Sequence, residues 1–172
     1  MMTTARSYLL STLRFRFSHN PIENLLKEHQ GCWLVWEPGS WRLGGAKTLP
    51  LENTIAPGNA IVVSPTASTE DALALALQLR AGQRQLTLGR GDHCDIIINE
   101  ATLSQLHLVF MCTEKHWTVR DAASKNGSFV NKHPLVPGRP CFLQGGDVLT
   151  AGKALFTFLE PSGMHQRLQQ DF

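Results

Sequence analysis

The chain has 172 residues, 42% of them hydrophobic and 17% charged, a balance that fits an ordinary globular protein with enough length to bury a core. Sixteen Lys and Arg against fourteen Asp and Glu leave a net charge of +2, and no basic stripe with interleaved aromatics occurs, so no nucleic-acid partner is expected. The longest apolar runs are far too short to span a bilayer as a helix, and no membrane partner is expected.

The N-terminal "MMTTARSYLLSTLRFRF" carries Arg6, Arg14 and Arg16 and no acidic residue before Glu23. Its apolar run is too short and broken for a secretory core, and it reads as an exposed basic tail rather than a transit peptide. A short helix is expected to open with Asn20 as N-cap, Pro21 at N1 and Glu23 at N3, and to stop at Gly31. "CWLVWE" reads as a strand ended by Pro38-Gly39. Residues 44–71 are rich in Gly, Pro, Ser, Thr and Ala and read as linker, with "AIVVS" as a possible isolated strand. Trp33, Trp36 and Trp41 cluster in this extension and are expected to pack against the domain that follows.

In "DALALALQL" propensity and pattern disagree. Ala and Leu favour helix, yet Leu73, Leu75, Leu77 and Leu79 alternate strictly, which lines one face of a strand. "RAGQ" supplies a turn and "RQLTL" alternates again, so a hairpin is predicted. Next come "DIII", "LHLVFM", "HWTVR", "SFV", "CFL", "DVLT" and "ALFTFL", each brief and bounded by turn residues, the pattern of an all-β sandwich. Trp117, Phe129, Phe142, Phe156 and Phe158 are expected in its core. The predicted organisation is an N-terminal extension over 1–70, a β domain over 71–160, and a tail over 161–172, frayed or at most a short helix.

The four cysteines, Cys32, Cys94, Cys112 and Cys141, form no C-x-x-C pair, and the seven histidines never join them at metal-ligand spacing. Buried reduced thiols in a cytoplasmic protein, with no metal and no cofactor, are the expectation. "S-x-x-H" at 104–107 suggests a nucleophile and base, but residues three apart in a strand face opposite sides and no orienting acid is apparent, so no catalytic residue is assigned.

Loops gather at the ends of a sandwich, where scattered polar residues can converge on a rigid frame. A phosphorylated peptide brings nearly two negative charges and three acceptor oxygens to such a place. An Arg fork suits the phosphate, a hydroxyl and a second cation complete the cradle, and an Asn amide can grip peptide backbone of any sequence. Arg90, Ser104, Lys125 and Asn126 are of these kinds, each on a loop between predicted strands.

"LGR" at 88–90, "SQLH" at 104–107, "NGSFVN" at 126–131 and "LQGGDVLTAG" at 143–152, in this order, resemble the forkhead-associated (FHA) domain. The resemblance covers about residues 72–160 and implies a two-sheet FHA-type β-sandwich that binds phosphothreonine peptides through one loop end. It implies that Arg90 and Ser104 hold the phosphate with Lys125 beside them, that Asn126 bonds the peptide backbone after the phosphothreonine, and that Gln105 sits at the peptide's edge. Gly89, His107, Gly127 and Asn131 would be structural supports, with His107 bracing the loop that presents Ser104. Gln105 stands where the family often has Arg, Ser128 where it usually has Thr, and Lys132 where Gly is common, so that last turn must adopt a geometry a Lys tolerates.

The implied function is a non-catalytic adaptor that captures a threonine-phosphorylated protein or peptide downstream of a Ser/Thr protein kinase. The alternative is a phosphate-independent scaffold or oligomerisation protein on the same fold. Thr48, Thr54, Thr66 and Thr69 lie on a linker whose length from Thr48 would let a phosphorylated residue reach the chain's own loop end, although Thr69 lies too close to the first strand to fold back easily.

Overall fold

The structure, a computed structural model, describes residues 7–37, 61–63, 71–114 and 116–170. In chain order its elements are β1 (Ser7–Leu9), α1 (Leu10–Phe17), α2 (Ile22–Glu28), β2 (Cys32–Trp36), β3 (Ile61–Val63), β4 (Leu73–Leu77), β5 (Gln85–Gly89), β6 (Ile96–Ile98) and β7 (Leu108–Thr113). There follow β8 (His116–Asp121), β9 (Ser128–Val130), β10 (His133–Pro134), β11 (Cys141–Phe142), β12 (Val148–Ala151), β13 (Ala154–Leu159) and α3 (Pro161–Gln169). They build a seven-stranded sheet, β1-β4-β2-β13-β12-β9-β10, and a six-stranded sheet, β11-β8-β7-β5-β6-β3. Thr48, Thr54, Thr66, Thr69 and Trp41 lie outside the described residues.

The Leu/Ala alternation of β4 determines what each of its faces can meet. Leu75 and Leu77 enter the main core between the sheets, with Leu88, Phe110, Val119, Phe156 and Phe158. Ala72, Ala74 and Ala76 point the other way, into a second core under the helices. Their small methyls let helices approach the sheet closely. On β2 the same period sends Leu34 and Trp36 inward and Trp33 and Val35 toward the helices. In α1 Leu10, Leu13 and Phe17 lie on one stripe and are buried there, while Arg16 faces out and pairs with Glu28 of α2 at 2.9 Å. From α3, Met164 and Leu168 complete this layer, and Arg167 forks onto Glu37 with bonds of 3.1 and 2.9 Å.

The strands of the predicted hairpin form but do not pair. β4 has β2 and β1 on its edges, and β5 has β7 and β6 on its own. The turn at Arg80–Gln83, with Gly82 at φ +81°, is real, but it carries the chain from one sheet to the other. The boundary expected at residue 71 likewise does not divide the fold, because β1 and β2 complete the first sheet and β3, far from isolated, pairs parallel with β6. The expected basic tail becomes β1 and α1 from Ser7 onward, since its apolar residues find a sheet face to cover.

Helix α2 starts at Ile22 with Pro21, not Asn20, as N-cap; the Asn20 side chain instead donates to the Arg16 carbonyl. His29 ends it, and Gly31 serves a close approach, for a Cβ there would lie 2.6 Å from the Leu77 carbonyl oxygen. Trp33 and Trp36 are fully buried, as are Phe156 and Phe158, with Trp117 nearly so. Phe129 and Phe142 are not core residues: at 37% and 72% exposure they occupy the outward positions of their strands. The cysteines are free thiols, but Cys94 alone is buried and the others are half-buried. Phe142 and Met111 border a groove of about 590 Å³ on the outer face of the six-stranded sheet. Among the described residues no helix is long and apolar enough to cross a membrane.

Candidate functional site

The strand β5 ends in Gly89, and the backbone of 89–91 then lies flush against 104–105. A Cβ on Gly89 would fall 2.4 Å from the Gln105 carbonyl oxygen, so only glycine permits the contact. The approach is held by Arg90 N–H to Ser104 O and Gly91 N–H to Gln105 O, both 2.9 Å. Arg90 is exposed, and its Nε donates to the Leu103 carbonyl at 3.3 Å. Its terminal nitrogens bond no other described residue, which leaves the end of the fork open.

His107 is wholly buried and braces the loop above it. Its Nδ1 accepts the Ser104 backbone N–H at 3.0 Å, so its proton sits on Nε2, which donates to the Gly127 carbonyl at 3.1 Å. Burial pulls the imidazole below its ordinary pKa, only partly opposed by the Gly127 bond and the Asp121 charge, which suits a neutral ring. The imidazole reaches the backbone of Ser104 and not its hydroxyl, so the pair is not arranged as nucleophile and base. Ser104 Oγ accepts the Lys125 N–H at 2.9 Å and keeps its own proton for another acceptor.

Asp121 shapes the third loop. Its carboxylate accepts Ser124 N–H at 2.8 Å, Ser124 Oγ–H at 2.6 Å and the Ser128 hydroxyl. Burial pushes its carboxyl up, but these bonds and the nearby His107 outweigh burial and hold it below the ordinary carboxylate range. The loop turns through Ala123 at φ +58° and Gly127 at φ +75°, lifting Lys125 and Asn126 into solvent. Asn126 Nδ2 then donates to the Thr102 carbonyl at 2.7 Å.

Arg90 and Asn126 are thus tied to the adjacent carbonyls of Leu103 and Thr102, and Lys125 to the next residue, Ser104. Two loops far apart in sequence, one carrying Arg90 and the other Lys125 and Asn126, close on one short segment. Gln105 is exposed beside them; its carbonyl accepts Gly91 N–H and, at 3.1 Å, the Cys94 thiol, and its side chain bonds no described residue. Asn131 is not at this rim. It sits past the other end of β9, where its Nδ2 donates to Asp147 at 2.8 Å and its Oδ1 accepts the Val148 N–H at 2.9 Å. Lys132 keeps the left-handed backbone that glycine would favour, at φ +69° after Asn131 at +50°, the pair of a two-residue hairpin turn.

Thr102 is the residue that sequence reading missed. Its carbonyl holds Asn126, its Oγ1 accepts the Lys153 N–H at 2.8 Å, and its own N–H and hydroxyl donate to the buried Glu100 carboxylate. Nothing in "EATLS" marks such a hub, because its partners lie in distant loops. Asp121 was more legible, since Asp three residues before Ser124 is a common side-chain-capped turn. With open donors from Arg90, Ser104, Lys125 and Asn126, the rim can bind an anion and an adjoining amide. Among the described residues no group of His, Cys, Asp and Glu could hold a metal ion.

The family model of the FHA domain matches residues 86–152. The oxoglutarate dehydrogenase inhibitor of Corynebacterium efficiens is 35% identical over 77 residues, 45% of this chain and 52% of that protein. The glycogen accumulation regulator GarA of Mycobacterium tuberculosis is 29% identical over 108 residues, 61% of this chain and 60% of its own length. This chain therefore spans between about half and three-fifths of those relatives. Among solved structures, the FHA domain of CT664 protein from Chlamydia trachomatis aligns with a TM-score of 0.48 at 14% identity, over 76% of this chain and 98% of that one.

Proposed function

We propose that the FHA domain carried by residues 86–152 captures threonine-phosphorylated proteins or peptides at this rim, making the chain a non-catalytic cytoplasmic adaptor in Ser/Thr kinase signalling. The observation that supports it is the fastening of Arg90 and Asn126 to the adjacent carbonyls of Leu103 and Thr102. In this reading the Arg90 fork, the Ser104 hydroxyl and the Lys125 ammonium surround the phosphate, while Asn126 bonds the peptide backbone that follows. Gln105 borders the peptide without adding charge. Gly89, His107 and Gly127 keep the loops in place, and Asn131 fixes β9 from its far end. The relatives are named as an inhibitor and a regulator, roles that binding alone can perform.

Arg90→Ala is the direct test, read by fluorescence anisotropy against a phosphothreonine peptide library. Losing the charged partner of a phosphate costs about 2–5 kcal/mol. Equal binding by wild type and variant would remove the site from consideration. The bare groove beside Met111 and Phe142 favours one second reading, a phosphate-independent scaffold. Its complexes would survive both phosphatase treatment and Arg90→Ala.

A further inference from the structure

We infer that a pocket at the pole of the sandwich opposite the rim receives a basic side chain, arginine or lysine, of a partner protein. It is separate from the rim and does not depend on what the rim binds.

The pocket holds about 570 Å³ where the helical layer meets the ends of both sheets. β7 runs from beside His107 to beside Glu114, six residues that set the pocket roughly 20 Å from the rim. Ile22 and Leu26 of α2 form one apolar wall. Cys32 of β2 and Cys112 of β7 line it from the two sheets, with Trp117, the strand partner of Cys112, beside them. Ile22, Leu26, Cys32 and Glu160 lie outside residues 86–152, so the family domain alone does not build this pocket.

Its charge is all of one sign. Glu114 and Glu160 border it, both exposed, and no described Lys, Arg or His lines it or pairs with either carboxylate. Burial, and after it the charge of Glu160, pushes the Cys32 thiol up to about 11, so at neutral pH the thiol is uncharged and the carboxylates carry the charge. Glu114 also keeps φ +57° in the turn after β7, a conformation that glycine or asparagine adopts with less strain.

The described thiols and carboxylates form no group that could hold a metal ion. The cation that fits is therefore an organic one with an apolar stem. An arginine or lysine side chain has that build: its methylenes lie along Ile22, Leu26 and Trp117, and its charged head stays at the mouth with Glu114 and Glu160. Exposed carboxylates hold a lone cation weakly, so the side chain needs a polypeptide around it to add contacts.

The test titrates the full chain with short peptides that carry a central Arg, Lys or norleucine among varied flanking residues, and with n-butylguanidine. The readout is the Trp117 indole N–H in NMR spectra. Arg and Lys peptides should move it and their norleucine counterparts should not, a difference that fades in about 1 M salt. Glu114→Gln and Glu160→Gln should each weaken Arg peptides roughly two- to fivefold, and the double variant should treat all three kinds of peptide alike. The backbone amides of Arg90 and Asn126 should not shift. If no peptide moves Trp117, or if the double variant keeps the preference for a charged side chain, the proposal is refuted. If every Arg peptide binds no more tightly than n-butylguanidine, the occupant is a free amine and the assignment to a partner protein falls.

Discussion

Under α1, α2 and α3, side chains meet side chains: Leu13, Trp33, Val35, Met164 and Leu168 fill a layer in which each is almost wholly hidden. At the rim, side chains meet backbone instead, as Arg90, Asn126 and His107 spend bonds on carbonyls of neighbouring loops. The first arrangement removes apolar area from water and carries stability. The second fixes loop shape with few bonds and leaves charged and amide ends facing out. Damage to one region should therefore unfold the protein, and damage to the other should leave it folded and unable to bind.

Trp33→Ala strikes the helical layer hardest. It should lower unfolding free energy by about 3–5 kcal/mol in urea titration, while the protein that remains folded binds phosphothreonine peptides as before. A loss of binding at full folding would show that the two regions are coupled.

His107→Leu is the case where the separation should break down, because this buried ring belongs to the rim. It strands the Ser104 N–H and takes one of two donors from the Gly127 carbonyl, and should cost about 1–3 kcal/mol in stability as well as weakening peptide binding. The ring also carries a pH signature. Its pKa in the folded chain lies below the ordinary 6.5, so the unfolded chain binds that proton more readily. Its stabilisation is complete above 6.5 and is lost as pH falls through the depressed value. Denaturant midpoints measured from pH 7 downward should decline, and His107→Leu should lack that part of the decline.

Phe142→Ser should do least. The side chain is 72% exposed on the face that no described helix covers, and the change should stay within about 0.5 kcal/mol. A larger loss would mean that this face is covered in solution.

The strands and the rim residues were legible because their signals are local: alternation in "LALAL", turn residues around Arg90 and Asn126, and a His three after Ser104. What escaped was pairing. Nothing in "CWLVW" says that Trp33 will sit opposite Leu159, or that β2 will come between β4 and β13 and displace the predicted hairpin. Thr102 escaped for the same reason, since its importance lies wholly in what distant loops bring to it.

The seat of β2 between β4 and β13 has a consequence for how the chain reaches its fold. Pairing of Leu34 with Leu75 can occur early in synthesis, but Leu34 must also meet Phe158. Until that late strand has left the ribosome, β1, β4 and β2 form at best a half-sheet with the edge of β2 unpaired and a greasy leucine side turned to water. Such an intermediate folds slowly and is open to association with its own kind. Chaperone demand and aggregation during expression should therefore track the delay between β2 and β13 more than any property of the finished rim.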